Sequence, residues 1–484
     1  MHTEVPRSLW LDEALAAEHG TDAAPLETDT RADVCIVGGG YAGLWTALKL
    51  KALEPALDVV LVERDICGGG ASGRNAGFMM SWWSKFLSLE KLCGTSEALR
   101  LARASDHAVD AVTEFCAAHD IDADLRPGGW LWAATNPAQL GLWRETVEAI
   151  GRHGYVPIVE WRREQAIACC GAAGHLGGAF EQHVSRTQPA LLARGLRRVA
   201  IARGVRVFEH SPLVSLVHGR PAIVATPRGR VRAERVVLTM NAWALRWPEI
   251  RRAVVAVSGD IVATPPMPER LARLGWHDGL CVSDGRALLQ YYRTTRDGRL
   301  LYGKGGMSGS FSYGGHVGAE VEGRSALAPF LVEEMRKTFP ALHDVGAATS
   351  WRGPVDRSKS GLPFFWHLGP RGNVHYAVGF SGNGLAPCYV AGDILASLAL
   401  ERRDEWSTCP LVRAPTRDFP PEPFRFIGAR IIRRALLAKD RADDEGRTPS
   451  WAARFAMRFA PAGLSPFSSS DDTASAADDV PATH

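Results

Sequence analysis

Nine cysteines are scattered over 484 residues, with no C-x-x-C pair and an odd total. That pattern excludes a zinc ribbon, argues against a disulfide framework and fits thiols kept reduced; no metal site is expected. No apolar run reaches the roughly 20 residues that a membrane span needs. No internal repeat is visible, which excludes a solenoid or a propeller. An excess of one charge is also missing. Lys plus Arg number 56 against 53 Asp plus Glu, for a net charge of +3. Such a field is too weak for nucleic acid as the main partner. The first thirty residues are dotted with acids (Glu13, Glu18, Asp22, Glu27, Asp29) and lack the basic start and apolar core of a signal peptide. The expected location is cytoplasmic. Lysine is scarce in this arginine-rich chain.

Against those absences stands one dense local pattern. Val34-Cys35-Ile36-Val37 is a short apolar run suited to a buried parallel strand, and Gly38-Gly39-Gly40-Tyr41-Ala42-Gly43 follows at once with G-x-G-x-x-G spacing. Leu44, Leu48 and Leu50 mark a helical stretch. Val59-Val60-Leu61-Val62 is a second buried run, closed by Glu63. Gly38 permits a tight turn, Gly40 lets the backbone approach a pyrophosphate, and Gly43 lets the helix pack on the strand. The helix N-terminus offers free N–H groups and a positive dipole end to phosphates. Glu63 follows Gly43 by about twenty residues, the spacing of an acid that binds ribose hydroxyls.

Further patterns set the organisation. Residues 1–31 read as an N-terminal arm with a short helix near Leu11 to Glu18. Residues 85–120 carry apolar positions at three- and four-residue steps, as a helix would. Strand-like runs separated by Gly, Pro and Asp between 253 and 315 predict an antiparallel sheet. Val374-His375-Tyr376-Ala377-Val378 leads into Gly379-Phe380-Ser381-Gly382-Asn383-Gly384 and a helix from about Ala386 to Leu400, a strand–glycine–helix unit far from the first. The expected fold class is α/β: a Rossmann-like nucleotide-binding domain of the glutathione-reductase type, with an inserted antiparallel-sheet substrate domain. Its nucleotide-binding segments are 32–125, 185–250 and 349–408. The substrate domain takes 126–184 and 251–348. A helical appendage fills 409–467, and the Ser-, Asp- and Ala-rich stretch 468–484 is expected to be a disordered tail.

These segments together resemble the D-amino-acid oxidase (DAO) family of flavoproteins, over roughly residues 30 to 405. The likeness rests on Val37 to Gly43, Gly70-Ala71-Ser72-Gly73-Arg74-Asn75-Ala76-Gly77, Asn241-Ala242-Trp243, Trp351 to Pro363, and Gly379 to Gly384. Ser81-Trp82-Trp83-Ser84-Lys85-Phe86, Gly128 to Trp132 and Pro421 to Arg425 look like its branch of gamma-glutamylputrescine oxidoreductases and related amine oxidases. The resemblance implies FAD as cofactor. It implies that Gly38, Gly40, Tyr41, Ala42 and Gly43 hold the pyrophosphate, that Glu63 holds the adenosine ribose, and that Arg64 lies near the adenine. Ser72, Arg74, Asn75 and Gly77 match the segment that meets the pyrophosphate and the near side of the flavin ring. Val214 matches the position whose backbone meets adenine. Gly382, Asn383, Gly384 and Leu385 match the helix start facing the flavin pyrimidine. That placement also makes physical sense, because a helix N-terminus stabilises the anion of reduced flavin. Trp351 to Pro363 contains no cysteine, and the early glycine segment has Arg74 and Asn75 where another branch uses histidine for attachment. The FAD is therefore expected to be non-covalent.

The implied reaction is oxidation of a C–N bond in an amine or amino acid. A hydride passes to flavin N5 and the resulting imine hydrolyses. Oxygen is the expected acceptor. A quinone at a membrane surface and a non-catalytic FAD-binding subunit are the alternatives. Among candidate catalytic groups, Arg293 could hold a substrate carboxylate bidentately with a hydrogen bond from Tyr291, its neighbour on one strand face. Trp82 and Trp83 could wall an amine pocket. Lys304, between glycines, could stabilise charge during oxygen reduction. Finally, Phe424, Ile427, Ile431, Leu436 and Ala438 alternate with Arg425, Arg430, Arg433, Arg434 and Lys439 in a basic amphipathic helix. It is expected to pack on its own protein, with an anionic membrane as the less favoured contact. Trp451, Phe455 and Phe459 suggest a second docking helix.

Overall fold

The computed structural model describes residues 6–18, 23–305, 311–318, 321–461 and 467; the tail at 468–484 lies outside the described residues. Its first sheet grows from the runs anticipated above. Val59–Val62 is buried at every position, and Thr30–Val37 is buried over its second half. Strands so apolar are stable only when covered on both sides, as in a parallel sheet with helices on each face. The parallel order is Arg206–Phe208, Val59–Val62, Thr30–Val37, Arg230–Leu238, Val374–Val378. From Thr30–Val37 the chain builds outward in both directions, so a crevice opens at that strand's carboxyl end, where ligands bind in open α/β sheets. Two helices cover it there. Tyr41–Leu53 and Leu385–Ala399 pack together, with Trp45 edge-on to Tyr389 at 4.9 Å. A side chain at Gly392 would sit 2.9 Å from the Trp45 Cβ, so glycine permits this crossing.

The second sheet is antiparallel almost throughout. Its order is Thr349–Ser358, Val254–Ala263, Leu300–Lys304, Gln290–Thr294, Cys281–Asp284, Trp130–Ala134, Gly177–Glu181, Ile158–Arg162. One pair departs from expectation: Cys281–Asp284 runs parallel to Trp130–Ala134, because the two pieces of the domain join there without a hairpin. Thr349–Ser358, placed by sequence in the third nucleotide-binding segment, pairs along its whole length with Val254–Ala263 and forms this sheet's edge. The nucleotide sheet regains the chain only at Phe364–Leu368 and Val374–Val378.

Two local departures have simple causes. The long helix Phe86–Ala118 is broken at Gly94, which adopts φ 75° and ψ 166°, a conformation suited to glycine. The N-terminal helix Leu9–Ala17 docks on the body. Ser8 Oγ donates to Gly73 O at 2.5 Å, Trp10 Nε1 donates to Asn75 O at 2.9 Å, and Trp10 meets Trp351 edge-on at 5.9 Å. Among the described residues, no helix is long and apolar enough to cross a membrane, and no group of three or more His, Cys, Asp or Glu side chains could hold a metal.

Candidate active site

A cavity of about 710 Å³ lies between the two sheets. Its nucleotide-sheet end starts at the first glycine turn. Gly38 has φ +112°, and a Cβ on it would lie 2.6 Å from Thr239 O. A Cβ on Gly43 would lie 2.0 Å from Gly38 O, so the helix seats directly on the turn. Gly40, Tyr41 and Ala42 face the cavity, and Gly43 supports them from behind. Ser72 reaches in from its own turn and accepts from Tyr41 N at 2.9 Å. Glu63 lines the cavity and also closes the turn, accepting from Gly39 N at 2.7 Å and Asp65 N at 3.0 Å. Burial pushes its pKa up, against those backbone donors. Arg64 stacks over Trp243 at 4.1 Å and pairs with Glu322 at 2.5 Å.

Arg74 lines the cavity but spends its donors on carbonyls: Gly69 O at 3.0 Å, Pro6 O at 3.2 Å and Arg352 O at 3.3 Å. Asn75 is bound into its own turn, donating to Ala71 O and Ser72 O and accepting from Gly77 N. Gly77 is behind the wall, with φ +76° and no room for a Cβ against Thr187 O. Val214 also misses the cavity. Its N–H donates to Ala225 O and its carbonyl accepts from Arg246, so both backbone groups are engaged. Ser211, Pro212, Leu213 and Arg246 line the wall there instead.

At the other helix start, Gly382, Asn383, Gly384 and Leu385 all face the cavity. Gly382 takes φ +89°, Gly384 is the N-cap residue, and no side chain caps this helix. Its first N–H groups are thus the positive end of a dipole aimed at the cavity. Asn383 donates to Ser81 O at 3.0 Å, while its buried Oδ1 has no partner among the described residues. Beside this turn lies Asp356, which the sequence reading did not single out. It is buried, accepts from Gly379 N at 2.6 Å, and is pushed up to about 7 by burial.

The far end is built by the antiparallel sheet. Tyr291, Trp130, Ser283, Ile261 and Leu289 line it, joined by Phe78, Met80, Ser84, Lys85 and Arg357. Tyr291 meets Phe78 edge-on at 6.0 Å, and Trp130 donates to Ser283 Oγ at 3.1 Å. Burial pushes Lys85 down to about 7, with the Arg357 charge adding to the effect; burial alone lowers Arg357 to about 10.

Three candidates lie elsewhere. Arg293 shares a sheet face with Tyr291, as alternation requires, but its end of the strand is covered by the N-terminal helix. It stacks on Trp10 at 4.8 Å and donates to Thr187 O at 2.9 Å. Lys304 projects from the face opposite Gly303, whose added Cβ would strike the Tyr291 ring, and donates to Leu288 O at 2.7 Å. Trp82 is buried in the core beside Ser105, which accepts from its backbone N–H. Lys85 and Arg357 were missed although both lie in segments already singled out. The scarcity that drew attention to Lys304 applied equally to Lys85.

FAD fits this cavity on three observations: glycines that a Cβ would obstruct, two helix starts with glycine N-caps on the same space, and an unpartnered Asn383 oxygen at the second of them. A nucleotide-binding parallel sheet sharing one cavity with an antiparallel roof defines a flavin-dependent oxidoreductase. The chain belongs to the DAO family of FAD dependent oxidoreductases, whose model matches residues 33–398. It is 33% identical over 416 residues to gamma-glutamylputrescine oxidoreductase of Escherichia coli (strain K12), covering 84% of this chain and 94% of that protein. It is 28% identical over 383 residues to the probable oxidoreductase OrdL of Haemophilus influenzae, covering 78% of this chain and 84% of the relative. In fold it is similar to glycine oxidase from Geobacillus kaustophilus, with a TM-score of 0.66 and 22% identity over 80% of this chain and 99% of that one.

Proposed function

We propose that the protein oxidises the C–N bond of an amine that also carries a carboxylate. The observation that carries this reading is the pair Lys85 and Arg357, two buried cations that both line the cavity. Two cations on one wall give that part of the cavity a positive field, which favours an anionic group on the substrate. A carboxylate accepts from both, and Arg357 offers a planar fork suited to it. A gamma-glutamyl amine bears such a carboxylate, as does any amino acid, so the reading agrees with the relatives' names.

Bound FAD supplies the two-electron acceptor for a hydride leaving the carbon beside the amine. The chain's own residues do the rest. Lys85 and Arg357 fix one end of the substrate, and Tyr291, Trp130, Phe78 and Met80 enclose the reacting carbon and limit water. No side-chain base is needed when the amine binds neutral, and imine hydrolysis follows on release. Oxygen is the proposed acceptor. Electron transfer to a membrane quinone is the second reading, favoured by the exposed helical surface described below.

The test is anaerobic mixing of the holoenzyme with a panel of amines while following the flavin's blue absorbance. Fast bleaching by carboxylate-bearing amines, and slow bleaching by their neutral counterparts, is expected. Equal rates for the two sets would remove the carboxylate clamp. Absence of bleaching by any amine would remove the activity. Peroxide release on readmitting air separates oxygen from quinone.

A further inference from the structure

Phe424, Ile427 and Ile431 follow one another at steps of three and four along the helix Phe424–Asp444, forming one stripe. Trp451, Phe455 and Phe459 repeat at steps of four on the helix Trp451–Met457 and the turn after it. All six are between 51% and 76% exposed. The two helices pack against each other, and the Phe455 and Phe459 rings meet edge-on at 5.6 Å. Half-exposed Tyr313 adds its ring against Phe426 at 5.4 Å. Scattered apolar side chains on a surface need no explanation, but a grouped set of aromatic and branched ones marks a contact site.

The inner side of this helical pair is already used. Ile432, Leu436 and Leu437 pack with Val255, Val257 and Leu288. Asp440 accepts from Ala287 N and Leu288 N, and Asp444 holds Asn136 and Arg286. Packing on its own protein therefore accounts for one side of the first helix and leaves its outer stripe more than half exposed.

Charge distinguishes the occupants. Residues 424–459 hold nine Lys or Arg and four Asp or Glu, in a chain whose total is only +3. The acids are engaged: Asp440 on backbone N–H groups, Asp443 on Lys439, Asp444 on Arg286, Glu445 on Arg447. Arg430, Arg434 and Arg458 stand exposed beside the apolar stripe and make no ion pair among the described residues. Two copies of the chain meeting here would bring arginine against arginine, which disfavours a self-contact. Apolar rings flanked by long cationic side chains instead suit the headgroup boundary of an anionic bilayer, where the rings enter and the guanidinium groups reach phosphate.

We propose that the outer side of the helices Phe424–Asp444 and Trp451–Met457 docks on an anionic lipid surface. The docked face adjoins the cavity. Gly314 N donates to Glu422 at 3.1 Å and Tyr313 leans on Phe426, while the next residues, Gly315, His316 and Val317, line the cavity wall. Lipid-soluble molecules leaving the bilayer would meet that wall first.

The test is co-sedimentation of the FAD-loaded full chain with vesicles of phosphatidylcholine alone or mixed with phosphatidylglycerol. Binding to the phosphatidylglycerol vesicles is expected, with loss at high salt and on neutral vesicles. A variant with Arg430→Gln, Arg434→Gln and Arg458→Gln should bind on the order of 100-fold more weakly. A variant with Trp451→Ser, Phe455→Ser and Phe459→Ser should bind at least about tenfold more weakly. Both should keep the wild-type flavin content and melting temperature. The proposal is overturned if the wild type stays in the supernatant with anionic vesicles, or if both variants bind as the wild type does. A dimer in light scattering that the serine variant dissolves would assign the surface to a second copy and overturn it too.

Discussion

Lys304 Nζ donates to the carbonyl oxygen of Leu288 at 2.7 Å, directly under the C-terminal helix. Asp440 from that helix accepts from Leu288 N at 3.2 Å, and its charge is felt at Lys304. The lysine thus ties the end of Leu300–Lys304 to the turn that receives the appendage.

Replacing Lys304 with Met leaves a buried carbonyl without its donor and leaves Asp440 with Lys439 but without Lys304 to offset its charge. Destabilisation of about 1–3 kcal/mol is expected. The rate of flavin reoxidation by oxygen should change little, because the side chain is outside the cavity lining. Thermal melts and stopped-flow reoxidation check both parts. A melting temperature like the wild type with reoxidation slowed at least about tenfold would return Lys304 to an oxygen-activating role.

Lys85→Met and Arg357→Gln should each lower kcat/KM for carboxylate-bearing amines by roughly 10- to 100-fold, the usual worth of a charged hydrogen bond. The change should appear mainly in KM, with neutral amines little affected. The pH profile carries the sign. Lys85 sits at about 7, so in the free enzyme its charge is lost as pH rises through that value. For acidic amines kcat/KM should therefore gain a descending component above about pH 7 that Lys85→Met lacks. Identical profiles for the two enzymes would show that Lys85 does not hold the substrate.

The nucleotide half of this protein was legible because its rules are local. Buried strand, glycine turn, helix and Glu63 fall within some thirty consecutive residues, and Gly38, Gly40 and Gly43 do in space what their spacing implies. The substrate half depends on what covers each strand, and that is not local. Alternation placed Tyr291 and Arg293 on one face, yet only Tyr291 reaches the cavity, because Trp10 from a helix some 280 positions earlier covers Arg293. Lys304 and Lys85 were indistinguishable by composition. Strand parity turns the first away from Tyr291, and the turn before Phe86–Ala118 brings the second in. Val214 lies one residue past Leu213, the last residue of that loop on the cavity wall.

Gly40→Ala probes the fit to FAD directly. The added Cβ would lie 2.9 Å from Ser72 Oγ, the atom that accepts from Tyr41 N. The methyl group displaces Ser72 and intrudes where the pyrophosphate is expected, so FAD affinity should fall at least about tenfold. In a Ser72→Ala background the same change should do less harm, since the clashing oxygen is gone. Flavin titration of the four proteins checks this, and equal losses in both backgrounds would show that Ser72 is not what the methyl meets. Acid precipitation of the wild type should leave the yellow colour in the supernatant, as non-covalent attachment requires.

Glu181 makes a separate prediction about stability. It is fully buried beside Ser81, which donates to it at 2.6 Å, and burial pushes it up to about 7, above the ordinary glutamate range. The folded state therefore binds this proton more tightly than the unfolded chain does. Its contribution is complete below the unfolded pKa and disappears as pH rises through about 7. At 1.36 kcal/mol per pKa unit, the loss is roughly 2–3 kcal/mol between pH 4.5 and 8. Asp356 acts in the same direction and in an overlapping window. His183, held between Asp106 and Asp110 and raised to about 9, loses its contribution later, between about 6.5 and 9. Glu181→Gln removes only the first of these. Its melting temperature should match the wild type near pH 5 and exceed it near pH 8. Melting curves that stay parallel across that range would show that Glu181 ionises no differently in the folded protein than in the unfolded chain.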